Sequence, residues 1–252
     1  MGIVDAFDCT TEEILKPSCI TGRIDGFPET VIATFNQKSV DVLLKLCEAE
    51  VASSMYAGDE IPVYKTCYKG KPMAFFLSWL GGPATVGLLE EIVAKGGRKI
   101  LLFGSCGSLE SSITDGHVLV PTAAYRDEGT SYHYAPAEAG DFIEVKTAGR
   151  MLEMLSELKV PAICGKTWTT DGLYRETRKN MELRKQDGCI AVDMECASVM
   201  AMASFRNVEA YQFLYTEDNL DCAEWEPRLL GNLPDSFRER YVRIALEVAL
   251  RI

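Results

Sequence analysis

Histidine is scarce in this 252-residue chain, which contains only His117 and His133, far apart in the sequence. A metal site built from several histidines is therefore not expected. The nine cysteines are odd in number and include no CxxC pair, so neither a zinc ribbon nor a disulfide framework is indicated. Several of these cysteines lie in apolar runs, which is typical of free thiols in a reducing cytosol. We therefore expect a cytoplasmic protein that needs no metal.

Basic residues are also few, because 26 Lys and Arg face 37 Asp and Glu, for a formal net charge of -11. Such a balance disfavours general binding to nucleic acid, and no polybasic patch indicates a membrane surface. No apolar run is long enough to span a bilayer. The first twenty residues also lack the basic and apolar regions of a signal peptide. The partners that remain are small molecules, and an anionic one would need locally arranged donors.

Short apolar runs alternate with amphipathic segments along the chain. The runs 73–77, 100–103, 117–120, 162–164 and 211–215 predict buried strands, and the segments 84–95, 150–159, 194–205 and 237–248 predict helices. Strands that are apolar throughout, interleaved with helices, indicate an α/β fold, here a three-layer sandwich with a central, mixed, mostly buried sheet flanked by helices. No linker or repeat divides the chain, so residues 1–252 are predicted to form a single domain. Ligands in such folds bind near the carboxyl ends of strands.

The stretch 192–197, VDMECA, places the carboxylate of Glu195 where an apolar segment becomes a helix. A buried carboxylate without a partner is costly. A ligand with two adjacent hydroxyls, such as a ribose, would justify it, because an ionised carboxylate accepts hydrogen bonds from both. The alternative is a first-turn glutamate stabilised by the helix dipole. This segment alone leaves both interpretations open.

The run Gly104-Ser105-Cys106-Gly107-Ser108-Leu109 directly follows a predicted strand. Its glycines would let backbone amides converge on an anion, and Ser105 would add a hydroxyl. The alternative is a tight turn that merely needs glycine. The run is not GxxxxGK[ST], so it does not indicate a nucleoside triphosphate. We do not expect Cys106 to be a nucleophile, because no basic partner stands near it in sequence.

Three further polar clusters follow predicted strands. Residues 125–134 are rich in potential donors, although a surface loop is the alternative. Residues 168–178 offer Trp168 and other aromatic surface for a flat base, with Glu176 and Arg178 for its edge. The alternative there is a helix start with a surface salt bridge. In residues 216–219, Asp218 is well placed as a general acid, although a turn or helix cap is the alternative.

Taken together, these segments resemble the uridine phosphorylase and hexameric purine nucleoside phosphorylase superfamily, from about Gly81 to Leu220. The matching motifs occur in one order: Gly-Gly-Pro with a helix, GSCGSL, HVLVPTAAYRDEGTSYHYAP, TTDGLYRE, VDMECAS and TEDN. The long third motif looks most like the uridine type. The GSCG run and the position of Asp218 look more like the purine type. The resemblance therefore leaves the preferred base open.

The resemblance implies an enzyme that uses phosphate, without a further cofactor, to cleave a nucleoside N-glycosidic bond into free base and pentose 1-phosphate. It also implies a homo-oligomer, either a dimer or a hexamer, with active sites near subunit interfaces. The roles it implies are phosphate binding by Gly104, Ser105 and Lys38; ribose binding by Met194 and Glu195; base binding by Leu173, Tyr174, Cys106 and Gly107, with Glu176 and Arg178 at the edge of a pyrimidine; and protonation of purine N7 by Asp218.

The chain departs from that family at two arginine positions. Leu102 stands two residues before the glycine of the GSCG run, and Ser39 ends the segment 34–39 that best matches a phosphate loop. Arginine is the preferred phosphate ligand, so its loss is not neutral. Lys38, Arg23 or an arginine from a partner subunit could substitute. Otherwise water replaces phosphate, as in the adenosylhomocysteine-type nucleosidases. A member that binds a nucleoside without cleaving it is a further alternative.

Overall fold

A computed structural model describes residues 2–252 of the protein, which form one mixed sheet of ten strands and seven α-helices. The strands are β1 (Thr30–Thr34), β2 (Ala49–Tyr56), β3 (Glu60–Tyr68), β4 (Lys71–Leu77), β5 (Lys99–Ser108), β6 (Val118–Asp127), β7 (Phe142–Glu144), β8 (Ala162–Thr170), β9 (Cys189–Asp193) and β10 (Glu209–Asn219). The helices are α1 (Pro17–Ile20), α2 (Gln37–Leu46), α3 (Gly82–Lys95), α4 (Ala148–Glu157), α5 (Arg178–Gln186), α6 (Cys196–Arg206) and α7 (Asp235–Ala249). Short 3-10 turns occupy Ile3–Asp5, Thr130–His133, Ala137–Ala139 and Leu173–Arg175. The predicted α/β fold with a helix-flanked central sheet is confirmed.

Half of the sheet closes on itself. Strand β5 pairs with β10, and the order β10-β6-β8-β9-β5 then returns to it, so that five strands form a ring. An apolar cluster with a member from each of the five strands fills this ring and includes Cys106, Leu119, Ile163, Ala191 and Leu214. The other strands extend from β5 as an open arm in the order β1-β4-β3-β2.

The main core lies between the sheet and its helices. The rings of Phe103 and Phe213 stack 5.4 Å apart across β5 and β10, and Tyr215 of β10 stacks on Tyr241 of α7 at 4.1 Å. Helix α3 begins after Gly81, whose φ of 91° suits glycine. Pro83 lies in its first turn, as the sequence predicts. None of the helices in residues 2–252 has the length and apolar character needed to cross a bilayer.

Several strands run further than their apolar residues indicate. Strands β5, β6, β8 and β10 continue to Ser108, Asp127, Thr170 and Asn219, so the polar clusters after the predicted strands begin within the sheet itself. Closure of the ring is the reason, because it supplies backbone partners beyond the apolar segments. Pro121 does not end β6, since the pairing with β8 shifts register between Pro121 and Ala124. The tight turn considered as the alternative for residues 104–109 is not present, because residues 104–108 belong to β5.

Candidate active site

Strand β5 is open on one side for three residues. Its pairing with β1 ends at Phe103, and its pairing with β9 begins at Gly107, so within residues 2–252 no strand pairs with residues 104–106 on that side. Ser105 is exposed there, although the residues on both sides of it are buried. Because β9 is antiparallel to β5 and ends at Asp193, the chain that follows enters this gap. We call the gap and its surroundings the crevice.

The glycines of the GSCG run permit close packing. A Cβ on Gly104 would lie 2.7 Å from the ring of Phe35, which follows β1. A Cβ on Gly107 would lie 2.8 Å from Val192 and 3.2 Å from Oδ1 of Asp218. These separations leave little room for a side chain, so glycine at positions 104 and 107 lets the neighbouring side chains approach the strand closely. Since these residues continue the ladder with β10, they do not form the nest of converging amides that the sequence predicts.

Glu195 lies at the mouth of the crevice, just before α6. Its side chain is 5% exposed, and its Oε1 accepts a hydrogen bond from the backbone N–H of Gly81 at 2.7 Å. Burial, and then the charge of Asp193, raise the pKa of Glu195 to about 8. The sequence therefore places this carboxylate correctly at a strand-to-helix junction, and the structure shows it buried with the backbone N–H of Gly81 as a hydrogen-bond donor to Oε1.

Asp193 fixes the position of Glu195. Its Oδ1 accepts hydrogen bonds from the hydroxyls of Thr167 and Thr169, at 3.1 and 2.8 Å. Its Oδ2 accepts the backbone N–H groups of Glu195 and Cys196, at 3.0 and 2.6 Å. Asp193 thus ties the end of β9 and the start of α6 to β8. The sequence interpretation gave it no role, although an aspartate just before a predicted helix is a capping signal.

A cavity of about 470 Å³ lies at the end of β10, where Asp218 pairs with Gly107 of β5. This volume suits a small ligand. Its lining contains five of the predicted base-side and catalytic residues, together with others from the same segments: Leu173, Tyr174, Glu176, Arg178, Met181, Asp218, Leu220, Cys222, Trp225 and Leu230. We call it the base cavity.

A β-bulge directs Asp218 into the base cavity. Thr216 pairs with Cys106 and Asp218 with Gly107, so Glu217 is the extra residue in β10. The half-buried carboxylate of Asp218 accepts the indole N–H of Trp225 at 2.8 Å. Burial raises the pKa of Asp218, and this effect outweighs the opposing Trp225 hydrogen bond and the charge of Arg228. The side chain is therefore closer to a proton donor than an ordinary aspartate is.

The other two charged residues of the base cavity, Glu176 and Arg178, differ from each other. Burial, and then the charge of Asp218, raise the pKa of Glu176 to about 7. Arg178 instead donates to the backbone carbonyls of Cys222 and Ala223, at 3.0 and 2.9 Å. Its guanidinium therefore already holds the segment 220–234, which connects β10 to α7 beside the cavity.

Three residues that the sequence analysis assigned to the candidate site have structural roles instead. Trp168 is 1% exposed and donates its indole N–H to Asp127 at 2.8 Å, so it does not offer a stacking surface for a base. Cys106 belongs to the apolar interior of the ring, where burial raises the pKa of its thiol, and it does not line the base cavity. Arg126 donates to Ser131 and to backbone carbonyls of residues 135 and 136, and so fastens the loop of the second cluster.

The predicted phosphate side contains few cations. Leu102 and Ser39, at the two arginine positions, are 0% and 1% exposed and belong to the interior. Lys38 is exposed in the first turn of α2, close after Phe35 in sequence. Arg23 precedes Ile24, whose N–H bonds to the Lys95 carbonyl at the C-terminal end of α3. That end lies about 20 Å from Gly81 at 1.5 Å per residue, so Arg23 does not reach the crevice.

Glu217 is the functional candidate that the sequence interpretation missed. It is 7% exposed, and the hydroxyl of Ser105 is a hydrogen-bonding neighbour of its carboxylate. Burial raises the pKa of Glu217 to about 7, against the charge of Arg238. The available signal was two consecutive acids in TEDN, of which the interpretation used only the second. Over residues 2–252, no group of three or more His, Cys, Asp or Glu side chains is arranged to hold a metal ion.

Comparison with known proteins identifies the family to which the chain belongs. Residues 26–252 match the model of the phosphorylase superfamily, and the chain belongs to that family. A uridine phosphorylase of Escherichia coli (strain K12) is 26% identical over 165 residues, covering 60% of this chain and 65% of that protein. The match therefore spans slightly less than two thirds of this relative. A guanosine phosphorylase of Halorubrum lacusprofundi is 24% identical over 213 residues, covering 82% of this chain and 87% of that protein.

A solved structure confirms the fold. A purine nucleoside phosphorylase from Toxoplasma gondii, crystallised in complex with immucillin-H, superimposes with a TM-score of 0.75. The superposition covers 89% of this chain and 91% of that chain at 21% sequence identity. The likeness shows the shared architecture, including the central mixed sheet.

Proposed function

We propose that this protein cleaves the N-glycosidic bond of a purine nucleoside. The observation that carries the proposal is the placement of Glu195 and Asp218 on opposite sides of the same stretch of β5. Glu195 lies at the crevice beside exposed Ser105, and Asp218 lies in the base cavity against Gly107. A nucleoside with its ribose in the crevice would place its base in the cavity.

The chemistry of this bond needs groups of these two kinds. Cleavage builds positive charge on the ribose, as in glycoside hydrolysis. The carboxylate of Glu195 would accept hydrogen bonds from the 2′- and 3′-hydroxyls and hold the ring in place, which is mainly an orientation effect. Met194, half-buried beside it, would contact the sugar. Asp218 would protonate the leaving base, and a single acid is worth about 10²–10⁴ in rate.

The base cavity favours a purine. Asp218 has a raised pKa and lines the base cavity, so it could donate a proton to purine N7. A pyrimidine would instead need donors for its carbonyl oxygens, and the guanidinium of Arg178 is already bonded to two backbone carbonyls. The name of the guanosine phosphorylase relative supports this choice, whereas that of the uridine phosphorylase relative supports a pyrimidine.

Two acceptors for the pentose are supported by different observations. The names of the relatives favour phosphate, which is also the prediction from the sequence, with Ser105, Gly104 and Lys38 as its ligands. The interior positions of Leu102 and Ser39 favour water. A binding protein without activity is the less favoured alternative, because carboxyl groups with raised pKa values stand at both places where cleavage needs them.

We also propose that the enzyme is a cytoplasmic homo-oligomer. Trp79, Leu80 and Tyr56 are exposed by 36%, 67% and 71%, and Leu80 directly precedes Gly81 at the crevice. Exposed apolar side chains of this size suit a subunit interface. Light scattering of the purified protein would measure its mass.

The test is incubation of the pure protein with inosine, guanosine, adenosine and uridine, each with and without phosphate. Chromatography would measure the released base, and NMR would identify the sugar product. We expect base release from at least one purine nucleoside, and loss of most of that release in the Asp218→Asn variant. Release of base from none of the four, by a protein shown to be folded by circular dichroism, would contradict the proposal.

A further inference from the structure

An acidic side chain lies next to Ser105, the exposed residue of the crevice. Ser105 is exposed in the gap on β5, and its hydroxyl neighbours the carboxylate of Glu217 on the adjacent strand. Glu217 is the extra residue of the bulge in β10, which adds a second carboxylate directly before Asp218. Bulges often redirect side chains at active sites. The two acids therefore lie at the same end of β10, one beside Ser105 and one in the base cavity.

The surroundings of Glu217 allow it to exist as a carboxylate. Arg238 of α7 is 4% exposed, and its Nε and Nη1 have no hydrogen-bond partner within residues 2–252. Its positive charge favours the ionised form of Glu217, whereas burial and Asp218 oppose it. The other titratable groups that interact with Glu217 are Tyr215 on its own strand, Cys106 on β5 and Tyr241 on α7.

We propose that Glu217, with Ser105, holds a water molecule in the crevice and acts as its general base, so that water is the acceptor of the pentose. This inference rests on the proposed function, since it assigns the nucleophile for the same bond cleavage. A buried carboxylate is poorly suited to a phosphate site, because it repels a second anion. Water has no charge and can donate one hydrogen bond to Glu217 and the other to the hydroxyl oxygen of Ser105, whose single proton is directed at Glu217.

The reaction balances with the groups present. The water oxygen forms a bond to C1′, and the bond from C1′ to the base nitrogen breaks with its electron pair leaving on the base. Glu217 takes one proton from the water, and Asp218 gives its proton to the base. The products are free pentose and free base. Transfer of a proton from Glu217 to solvent, and uptake of one by Asp218, restore the starting enzyme.

Glu217→Gln is the decisive variant, because it keeps the size of the side chain and its hydrogen bonding to Ser105 but cannot accept a proton. The expected result is a fall in kcat of about 10²-fold or more on the purine nucleoside cleaved best. Glu224→Gln is the matched control, since Glu224 is an exposed residue of the nearby segment 220–234, and it should keep normal activity. Glu217→Asp, which keeps the carboxylate, should be intermediate. Thermal unfolding would show whether each variant is folded.

Product analysis separates this inference from the function on which it rests. We expect free ribose in the complete absence of phosphate, at a rate that added phosphate does not increase. Ribose 1-phosphate as the main product, or unchanged kcat in folded Glu217→Gln, would overturn the role of Glu217 while leaving the cleavage of nucleosides intact. Absence of base release under every condition would overturn both.

A pH profile supplies a second readout that does not depend on the folding of a severe variant. Because the pKa of Glu217 is raised to about 7 and its carboxylate is the active form, kcat should fall as pH decreases through about 7. In Glu217→Asp this acid limb should move to a different pH. An acid limb that keeps its position in Glu217→Asp would contradict the assignment.

Discussion

The proposed ribose side, around Glu195, and the proposed base side, around the base cavity, are built in different ways. On the ribose side, Glu195 is buried between two regular elements and held through Gly81 and Asp193. On the base side, Tyr174 and Trp225 are exposed by 94% and 57%, and they come from segments that connect regular elements. The Glu195 side is held by a strand and a helix, whereas the base side is formed largely by segments that connect strands and helices.

This difference suggests that the two sides have different tasks: the Glu195 side positions the nucleoside for bond cleavage, and the base cavity selects which nucleoside binds. Rigid elements hold a group to the accuracy that bond cleavage requires. Connecting segments tolerate more change in sequence and shape, and specificity commonly resides in them. We therefore expect substitutions on the ribose side to affect all nucleosides, and substitutions on the base side to change which nucleoside is cleaved.

The largest effect is expected for Glu195→Ala. Removing the carboxylate releases the ribose from its position, and because misplacement by about 1 Å can cost about 10²-fold, we expect kcat/KM to fall by about 10²-fold or more for every ribonucleoside. Steady-state kinetics would measure this fall. Glu195→Gln is the control, since it can still accept from Gly81 but from fewer ribose hydroxyls. Near-normal turnover in folded Glu195→Ala would refute the role of this residue.

A smaller and selective effect is expected for Asp218→Asn. The amide cannot donate a proton to N7, so kcat for purine nucleosides should fall by about 10²-fold. The effect should be at the low end for a general acid, because Glu176 remains in the same cavity with a pKa raised to about 7. Parallel kinetics with a nucleoside whose base is a good leaving group would test this, since such a substrate should lose much less. Equal loss for both substrates would contradict acid catalysis.

The sequence predicted five of the ten strands and four of the seven helices in residues 2–252, and half of the residues around the cavity, because these depend on local pattern. Apolar runs marked β4, β5, β6, β8 and β10, and Leu173, Tyr174, Glu176, Arg178 and Asp218 do line one cavity. The ring could not be predicted, because its closure depends on pairing between β5 and β10, about a hundred residues apart. Without knowledge of the ring, the GSCG run is interpreted as an anion-binding loop or a turn, and Cys106 as part of the site.

The sequence interpretation missed two residues, Asp193 and Glu217, for a similar reason. Asp193 acts on Thr167 and Thr169, which belong to a different strand, so its role depends on a contact that the sequence does not display. Glu217 looks like a neighbour of Asp218 until the bulge separates their directions. Trp168, in contrast, looked like a stacking surface only because its burial and its bond to Asp127 were unknown.

A moderate effect is expected for the pH dependence of the KM of ribonucleosides, which reports on Glu195 and not on the base cavity. The pKa of Glu195 in the folded protein is raised to about 8, so the residue is mostly protonated at lower pH and gains its second acceptor as pH rises through that value. The KM of a ribonucleoside should therefore decrease between pH 7 and 9. A 2′-deoxynucleoside offers only the 3′-hydroxyl, so its KM should change less. The same dependence for both substrates would place the titrating group elsewhere.

The smallest effect is expected for Trp225→Phe. The indole N–H lowers the pKa of Asp218, so its removal should raise that pKa and move the alkaline limb of the pH–rate profile to higher pH. The shift should be less than about one pH unit, because Trp225 is largely exposed and water can replace its hydrogen bond. In the Asp218→Asn background the substitution should cause no such shift, since the two residues act as one unit. A shift that persists in that background would mean that Trp225 acts on another titrating group, and the base side would then lack the coupled pair inferred for it.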